Sequence, residues 1–209
     1  MATLVWKEAH GRSRAGTKRQ WQRYQDVLRS ENTRPVLSCV GNHDFWCQTE
    51  TQAGFENGGR WALDKLAMAQ RYYNLHRNGW QLIVLDSVQP HKDGSWYTAF
   101  LDEEQFTWRQ QDLKRTPTTN PILIVSHVSI LVTCVFFDGP RLDKDHWRIP
   151  ASWMHTDARW IFDLFHRHPN VKAALSRHFH LQDRVDGNGV VSGAGRGQPN
   201  YHTAAGYAW

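Results

Sequence analysis

Three short stretches of this chain carry residue types that do chemistry together. Val40-Gly41-Asn42-His43-Asp44 follows the apolar run Pro35-Val36-Leu37-Ser38-Cys39. Ser126-His127 follows Ile122-Leu123-Ile124-Val125. Arg177-His178-Phe179-His180 follows Val171-Lys172-Ala173-Ala174-Leu175-Ser176. Each preceding run reads as a buried strand that delivers a histidine at its end. Asn supplies a neutral carbonyl oxygen, His an imidazole and Asp a carboxylate, which are metal-ligand and acid/base groups. Gly41 lets the backbone turn sharply in front of them. One histidine at a strand end is usually a core or surface residue; three such ends, one preceded by Asn and one in a His-x-His pair, form a constellation. Imidazoles with an amide oxygen suit Zn, Fe or Mn. In an extended strand His178 and His180 point the same way, so both can face one metal cluster. Such a cluster generates hydroxide at neutral pH and clamps a phosphoryl group for in-line displacement. His43 is then the candidate for protonating the departing alkoxide.

The elements that must position these residues alternate between strand and helix. Trp21, Tyr24, Val27 and Leu28 recur at helical spacing and predict an amphipathic helix over 17–30. The polar, Gly-containing stretch 47–60 reads as a loop over the site, and 61–70 as a short helix. Trp80-Gln81-Leu82-Ile83-Val84-Leu85-Asp86 is a strand, and a long loop follows to Leu101. Asp102 is an N-cap with Gln105 as its capping-box partner, Leu101 and Phe106 form the hydrophobic staple, and the helix ends before Pro117. Residues 133–157 form an irregular insertion. Asp157 starts a further helix with Trp160, Ile161, Leu164 and Phe165 on its apolar face. A hairpin is expected around Asp186-Gly187-Asn188-Gly189. In α/β sheets sites form outside the carboxyl ends of strands, and there Asn42, His43, His127, His178 and His180 would converge.

A length of 209 residues suits one domain with a substantial core, spanning the whole chain, with residues 1–16 and 196–209 as an atypical start and an irregular tail. The 11 Trp have no regular spacing, which favours core and surface filling over a carbohydrate or base-stacking groove. The net charge of +5 suits an anionic substrate such as a phosphate ester or nucleotide. The basic residues Arg12, Arg14, Lys18, Arg19 and Arg23 read as a solvated helix face rather than a nucleic-acid arm. The 3 Cys lack C-x-x-C spacing, against a disulfide scaffold or zinc ribbon. No stretch reaches membrane-spanning length. The chain as written is expected in the cytoplasm, with export left open should a further N-terminal segment exist. His10, His76, His91, His146, His155, His166, His168 and His202 lack motif support and read as surface or loop residues. Asp44 reads as a brace for its loop, Asp86 and Asp138 as carboxylates that nothing ties directly to metal but that could support a ligand from behind, and Trp46 as a pocket wall or a core residue.

Gly41-Asn42-His43-Asp44, Ser126-His127 and His178-x-His180 resemble three of the five motifs of the calcineurin-like metallophosphoesterases. Leu85-Asp86-Ser87, Asp102-x-x-Gln105-x-x-Trp108 and the run Val171–Ser176 are similar in order and spacing to the bacterial cyclic-nucleotide phosphodiesterase-like branch. The resemblance covers roughly residues 17–195. It implies a four-layer α/β/β/α sandwich and a two-metal phosphoesterase. Asn42, His127 and His178 would bind the second metal, His180 the first, and His43 would be the substrate-facing acid.

Two departures qualify what the resemblance implies. The family's Asp-x-His and Gly-Asp-x-x-Asp motifs, which supply the carboxylate ligands, are absent from these residues. Glu8-Ala9-His10 imitates the first but lies too near Gly41 for the intervening strands. The first metal then keeps only His180, and the second keeps three neutral ligands, so at most one ion is expected, weakly held. The sandwich would be incomplete at its N-terminal side, with an exposed sheet edge. Arg177 stands where the family has Gly, and would crowd the loop, place a cation near the metals or contact phosphate. The expectation is a metallophosphoesterase of impaired activity; the alternative is a catalytically inactive phosphoesterase-like binding domain.

Overall fold

The computed structural model describes residues 14–45, 52–91, 97–137, 142–187 and 189–194. In chain order the elements are α1 (Arg14–Glu31), α2 (Gln52–Leu66), β1 (Tyr73–Arg77), β2 (Trp80–Val84), β3 (Val88–Pro90), β4 (Tyr97–Ala99), α3 (Glu103–Arg115), β5 (Ile122–Val125), a 3-10 turn (Cys134–Phe137), β6 (Leu142–Asp143), β7 (His146–Trp147), α4 (Ala158–His166), β8 (Val171–Ser176), β9 (Asp183–Gly187) and β10 (Val190–Ala194). A six-stranded sheet runs β1-β2-β5-β8-β10-β9. Its four central strands are parallel, with β1 and β9 pairing antiparallel at the two edges. Two smaller sheets, β3-β4 and β6-β7, accompany it. Glu8-Ala9-His10, Trp46, Asp138, His202 and the tail 196–209, for which the sequence carries expectations, lie outside the described residues.

Parallel strands are covered on both faces, so their sequences run nearly continuously apolar. Ile122-Leu123-Ile124-Val125 does so, and its register sets Leu82 beside Leu123 and Val125 beside Leu175. Helices α3 and α4 pack Leu113, Ile161, Leu164 and Phe165 against Ile83, Leu85, Ile122 and Ile124, all fully buried. Each such side chain contributes about 1.5–3 kcal/mol on leaving water. Arg109 is buried with them, its guanidinium over the Phe106 and Phe165 rings at 4.5 and 5.6 Å. Burial lowers its pKa to about 10. A second cluster joins Val40 and Phe45 to Ala62, Val88, Tyr97, Ala99 and Val128. It presses α2 and the β3-β4 hairpin onto the loop between Val40 and Phe45.

The helix and strand expectations for α1, α3, α4, β2, β5, β8 and the β9-β10 hairpin agree with the structure to within a few residues. Several others are corrected. Pro35–Cys39 forms no strand. Val36 and Leu37 are 48% and 39% exposed. The neighbouring edge strand reaches the segment through a side chain, the Tyr73 hydroxyl donating to Ser38 O at 2.8 Å. The Cys39 thiol meets Leu85 O at 3.4 Å. Without a backbone ladder an apolar run does not become a strand. The expected loop 47–60 is helical from Gln52 onward, so α2 begins well before residue 61. Its glycines lower helix propensity, but a Cβ on Gly59 would stand 3.1 Å from the Phe45 ring, so glycine is what lets α2 pack this closely. The expected loop from Ser87 to Leu101 contains β3 and β4. The β1-β2 hairpin went unrecognised in the sequence. Asn78 and Gly79, at φ of 51° and 80°, make the two-residue turn that suits twisted strands.

Asp102 caps α3 as expected, accepting from Gln105 N at 2.8 Å. The reciprocal half of the capping box does not form. The buried Gln105 amide instead accepts from Asp86 N at 2.8 Å and donates to Asp86 O at 2.9 Å. Buried backbone groups at the end of β2 need partners, and Gln105 meets that need.

Candidate active site

The parallel strands β5 and β8 end side by side, and their ladder continues past the last strand residue. Ser126 N donates to Leu175 O at 3.0 Å, and Arg177 N donates to His127 O at 3.1 Å. This fixes His127 and His178 next to each other above the sheet. Asn42 arrives from the other side on the turn Gly41–Asp44. Asp44 closes that turn twice, its carboxylate accepting from Gly41 N at 2.8 Å and its own N donating to Gly41 O at 3.0 Å. The carboxylate is fully buried and braces the loop, as expected from the sequence.

Three side chains meet at one atom. His127 Nε2 lies 2.7 Å from Asn42 Oδ1 and 3.2 Å from His178 Nδ1. His178 Nε2 lies 3.3 Å from the Tyr97 hydroxyl on β4. Asn42 and His127 are buried. The His127 and His178 rings meet nearly edge-on, centroids 5.1 Å apart. A neutral imidazole carries one proton, so Nε2 of His127 can donate to the amide oxygen or accept from His178, not do both well. Protonation does not relieve this. Burial first, then the neighbouring His178, His43 and His180, hold His127 well below the ordinary histidine pKa. Burial first, then His43 and His180, lower His178 to about 4. At neutral pH the trio is uncharged and turns lone pairs toward one another.

The remaining sequence-derived residues stand around this trio. His43 is half-buried on the Gly41–Asp44 turn, close enough for its charge to be felt at both His127 and His178. His180 does not share an extended strand with His178. Strand β8 ends at Ser176, and His180 sits exposed at a φ of 55°. The chain leaves the sheet here because Phe179 turns into a separate apolar cluster under the insertion, edge-on to Trp153 at 5.4 Å. His180 is therefore on the rim, its pKa lowered by partial burial and then by Arg177. Arg177 is half-buried beside it, with its backbone committed to His127.

Two groups escaped the sequence reading. Tyr97, which holds His178, lay in a stretch read as loop, and no local signal marked it. His155, read as a surface histidine, is buried with Nδ1 3.0 Å from Asp157. That carboxylate also accepts from Leu101 N at 3.0 Å, tying the start of α4 to the entry of α3. His-x-Asp spacing was the available clue.

Among the described residues, no three His, Cys, Asp or Glu side chains gather closely enough to hold a metal ion, so Asn42 is needed for a three-donor set. Also among the described residues, no helix is long and apolar enough to cross a membrane.

No protein-family model and no curated protein matches this chain. Solved structures do match. A dimetal phosphatase from Danio rerio superposes with a TM-score of 0.54 at 13% identity, over 85% of this chain and 66% of its own. A purple acid phosphatase from yellow lupin (Lupinus luteus) seeds gives 0.57 at 15%, over 86% and 34%. A phosphopantetheinyl hydrolase from Mycobacterium tuberculosis gives 0.51 at 13%, over 85% and 75%. The likeness is one of fold, and the mixed α/β architecture described above is a metallophosphoesterase-type fold. This chain spans less than two thirds of the length of the first two neighbours.

Proposed function

We propose that this chain carries the neutral-ligand part of a metallophosphoesterase site, acting on a phosphomonoester or phosphodiester. The observation behind this reading is the convergence of Asn42 Oδ1, His127 Nε2 and His178 Nδ1 at the ends of adjacent parallel strands. The donor separations of 2.7 and 3.2 Å approximate the edges of a coordination polyhedron with bonds of about 2.1 Å. The proton shortage of the trio is what a bound cation would relieve. These residues fit one divalent ion, Mn, Fe or Zn. They do not fit two, because no carboxylate joins them among the described residues.

A divalent cation supplies Lewis acidity and an acidified water to such a site. The chain's own residues do the rest. Asp44 holds the turn that presents Asn42 and His43. Tyr97 and the Arg177–His127 backbone bond fix His178. His43 holds the proton that a departing alkoxide takes. On the rim, Arg177 offers positive charge and His180 a hydrogen-bond donor to phosphate oxygens. The absent carboxylates predict weak metal binding and little turnover by these 209 residues alone. The missing carboxylates also favour a second reading, a phosphoesterase-like domain that binds phosphorylated ligands without cleaving them.

The test is metal analysis and titration with Mn²⁺ and Zn²⁺, alongside hydrolysis of bis(p-nitrophenyl) phosphate. The expected result is at most one weakly bound ion, lost in His127→Ala, and little or no hydrolysis. Two tightly held ions per chain, or vigorous turnover abolished by His43→Ala, would overturn the reading. Binding of a phosphate ester without turnover selects the second reading.

A further inference from the structure

The loop that presents Asn42 and His43 has a second neighbour besides the histidine trio. Val40 and Phe45, which bracket it, line a cavity of about 460 Å³ together with α2, Arg71 and the approaches to β3 and α3. None of Asn42, His43, His127 or His178 lines it. Its size lies within the range of small-molecule sites.

The polar groups around this cavity are already engaged with other protein groups. One Arg71 nitrogen donates to Asp86 at 3.1 Å and to Gln89 Oε1 at 3.4 Å, and another bonds Asp102. The second oxygen of Asp86 accepts from Val88 N at 3.0 Å, and that of Asp102 from Gln105 N at 2.8 Å. The Gln89 amide donates to Asp86 O at 3.1 Å. At the mouth, exposed Arg60 donates to Asn57 Oδ1 at 2.5 Å, and exposed Glu56 is engaged as well. Among the described residues, no polar side chain of the lining is left over for a ligand atom. A charged molecule entering here would shed its water and meet counter-charges that are already taken, so its burial is penalised.

The apolar side of the cavity is the opposite case. Val40, Phe45, Leu63 and Phe100 border the space. Apolar surface laid against them leaves water with a gain in proportion to its area. A ring placed beside Phe45 and Phe100 gains further from edge and face contacts.

We propose that this cavity binds a small uncharged aromatic molecule of one or two rings, held by Phe45, Leu63 and Phe100 and by no ionic contact. The proposal is independent of the phosphoesterase reading, because it uses neither the histidine trio nor a metal. A molecule held in this way would touch the residues on both sides of the Gly41–Asp44 turn.

The experiment is calorimetric titration of the 209-residue chain at pH 7.5 with indole, tryptamine and indole-3-acetate, which share one ring system and are neutral, cationic and anionic. Indole is expected to bind saturably, and each charged probe about tenfold more weakly, because its charge loses water and gains no partner. Leu63→Trp fills the apolar end and should abolish binding. Phe100→Leu keeps the wall apolar while removing a ring, and should weaken indole about fivefold. Circular dichroism checks that each variant folds, and Phe100→Leu alone decides the matter should Leu63→Trp not fold. Equal binding of the three probes, preference for either charged probe, no saturable binding, or a folded variant that binds indole as well as the parent would each sink the proposal.

Discussion

Asp86 offers a direct measurement of what burial does to a carboxylate in this fold. It lies at the end of β2 and is only 3% exposed. One oxygen meets the Arg71 guanidinium at 3.1 Å, and the other accepts from Val88 N at 3.0 Å. Both contacts favour the charged form, but burial outweighs them and Asp102 adds repulsion, so the pKa rises from 3.8 to about 6. The other titratable group in electrostatic contact is the Cys39 thiol, which burial pushes far above its usual range. A carboxyl whose pKa is raised on folding binds more protons in the native than in the unfolded state. Its contribution to stability is therefore full below pH 3.8 and lost as the pH climbs through about 6. At about 1.4 kcal/mol per pH unit the whole effect is about 3 kcal/mol, most of it falling between about pH 4 and about pH 7. Asp86→Asn cannot titrate. The stability of the parent relative to Asp86→Asn should thus fall by roughly 2 kcal/mol across that window, other groups cancelling in the difference. Urea unfolding of both proteins at each pH, with equal m-values, gives the number directly. Parallel curves at all pH values would refute the reasoning, since they would mean that Arg71 and Val88 fully offset the burial.

Three further outcomes follow from the packing. His127→Ala removes the nitrogen on which Asn42 and His178 converge, so the rise in Tm given by Zn²⁺ or Mn²⁺ to the parent should vanish; an undiminished rise would place the ion elsewhere. Gly59→Val drives methyl groups into the Phe45 ring, 3.1 Å from where a Cβ would start, and should lose about 1–3 kcal/mol in denaturant unfolding, whereas Gly59→Ala stays near the parent because alanine favours helix. Gln105→Leu strips the partners from the Asp86 backbone N–H and C=O, each worth about 1–3 kcal/mol when orphaned in the interior. A drop in the denaturation midpoint at unchanged m is expected, and a midpoint equal to the parent's would show that those backbone groups find other partners.

The parallel core of the sheet was legible because its central strands are covered on both faces, which leaves continuous apolar runs such as Ile122–Val125. Helices α3 and α4 were legible from their caps and apolar spacing. The residues of the site were legible for a related reason. Strand ends in an α/β sheet lie on one side, so His127 and His178 could be assigned to one place from the sequence, whereas Asn42 reaches that place from a segment that forms no strand. What local signals could not supply was whatever depends on a distant partner. Pro35–Cys39 is as apolar as a strand, yet a strand needs a neighbouring backbone. The glycines of α2 argue against helix until Phe45 is seen lying against Gly59. His180 shares a motif with His178, but Phe179 buries itself under the insertion and carries His180 to the rim.

The sequence by itself determined the central parallel strands β2, β5 and β8, the helices α1, α3 and α4, the kinds of group that follow the strands and the absence from these residues of the carboxylate motifs, because composition and period are local properties. Only the tertiary structure decided which donors touch. It set His127 Nε2 between Asn42 and His178, brought Tyr97 from a hairpin hidden in an apparent loop, and turned Gln105 from a cap to Asp86. It also joined Arg71, Asp86 and Asp102 into the floor of a cavity. Each of these is a contact between residues far apart in the chain, made when buried polar groups must find partners wherever packing has placed them.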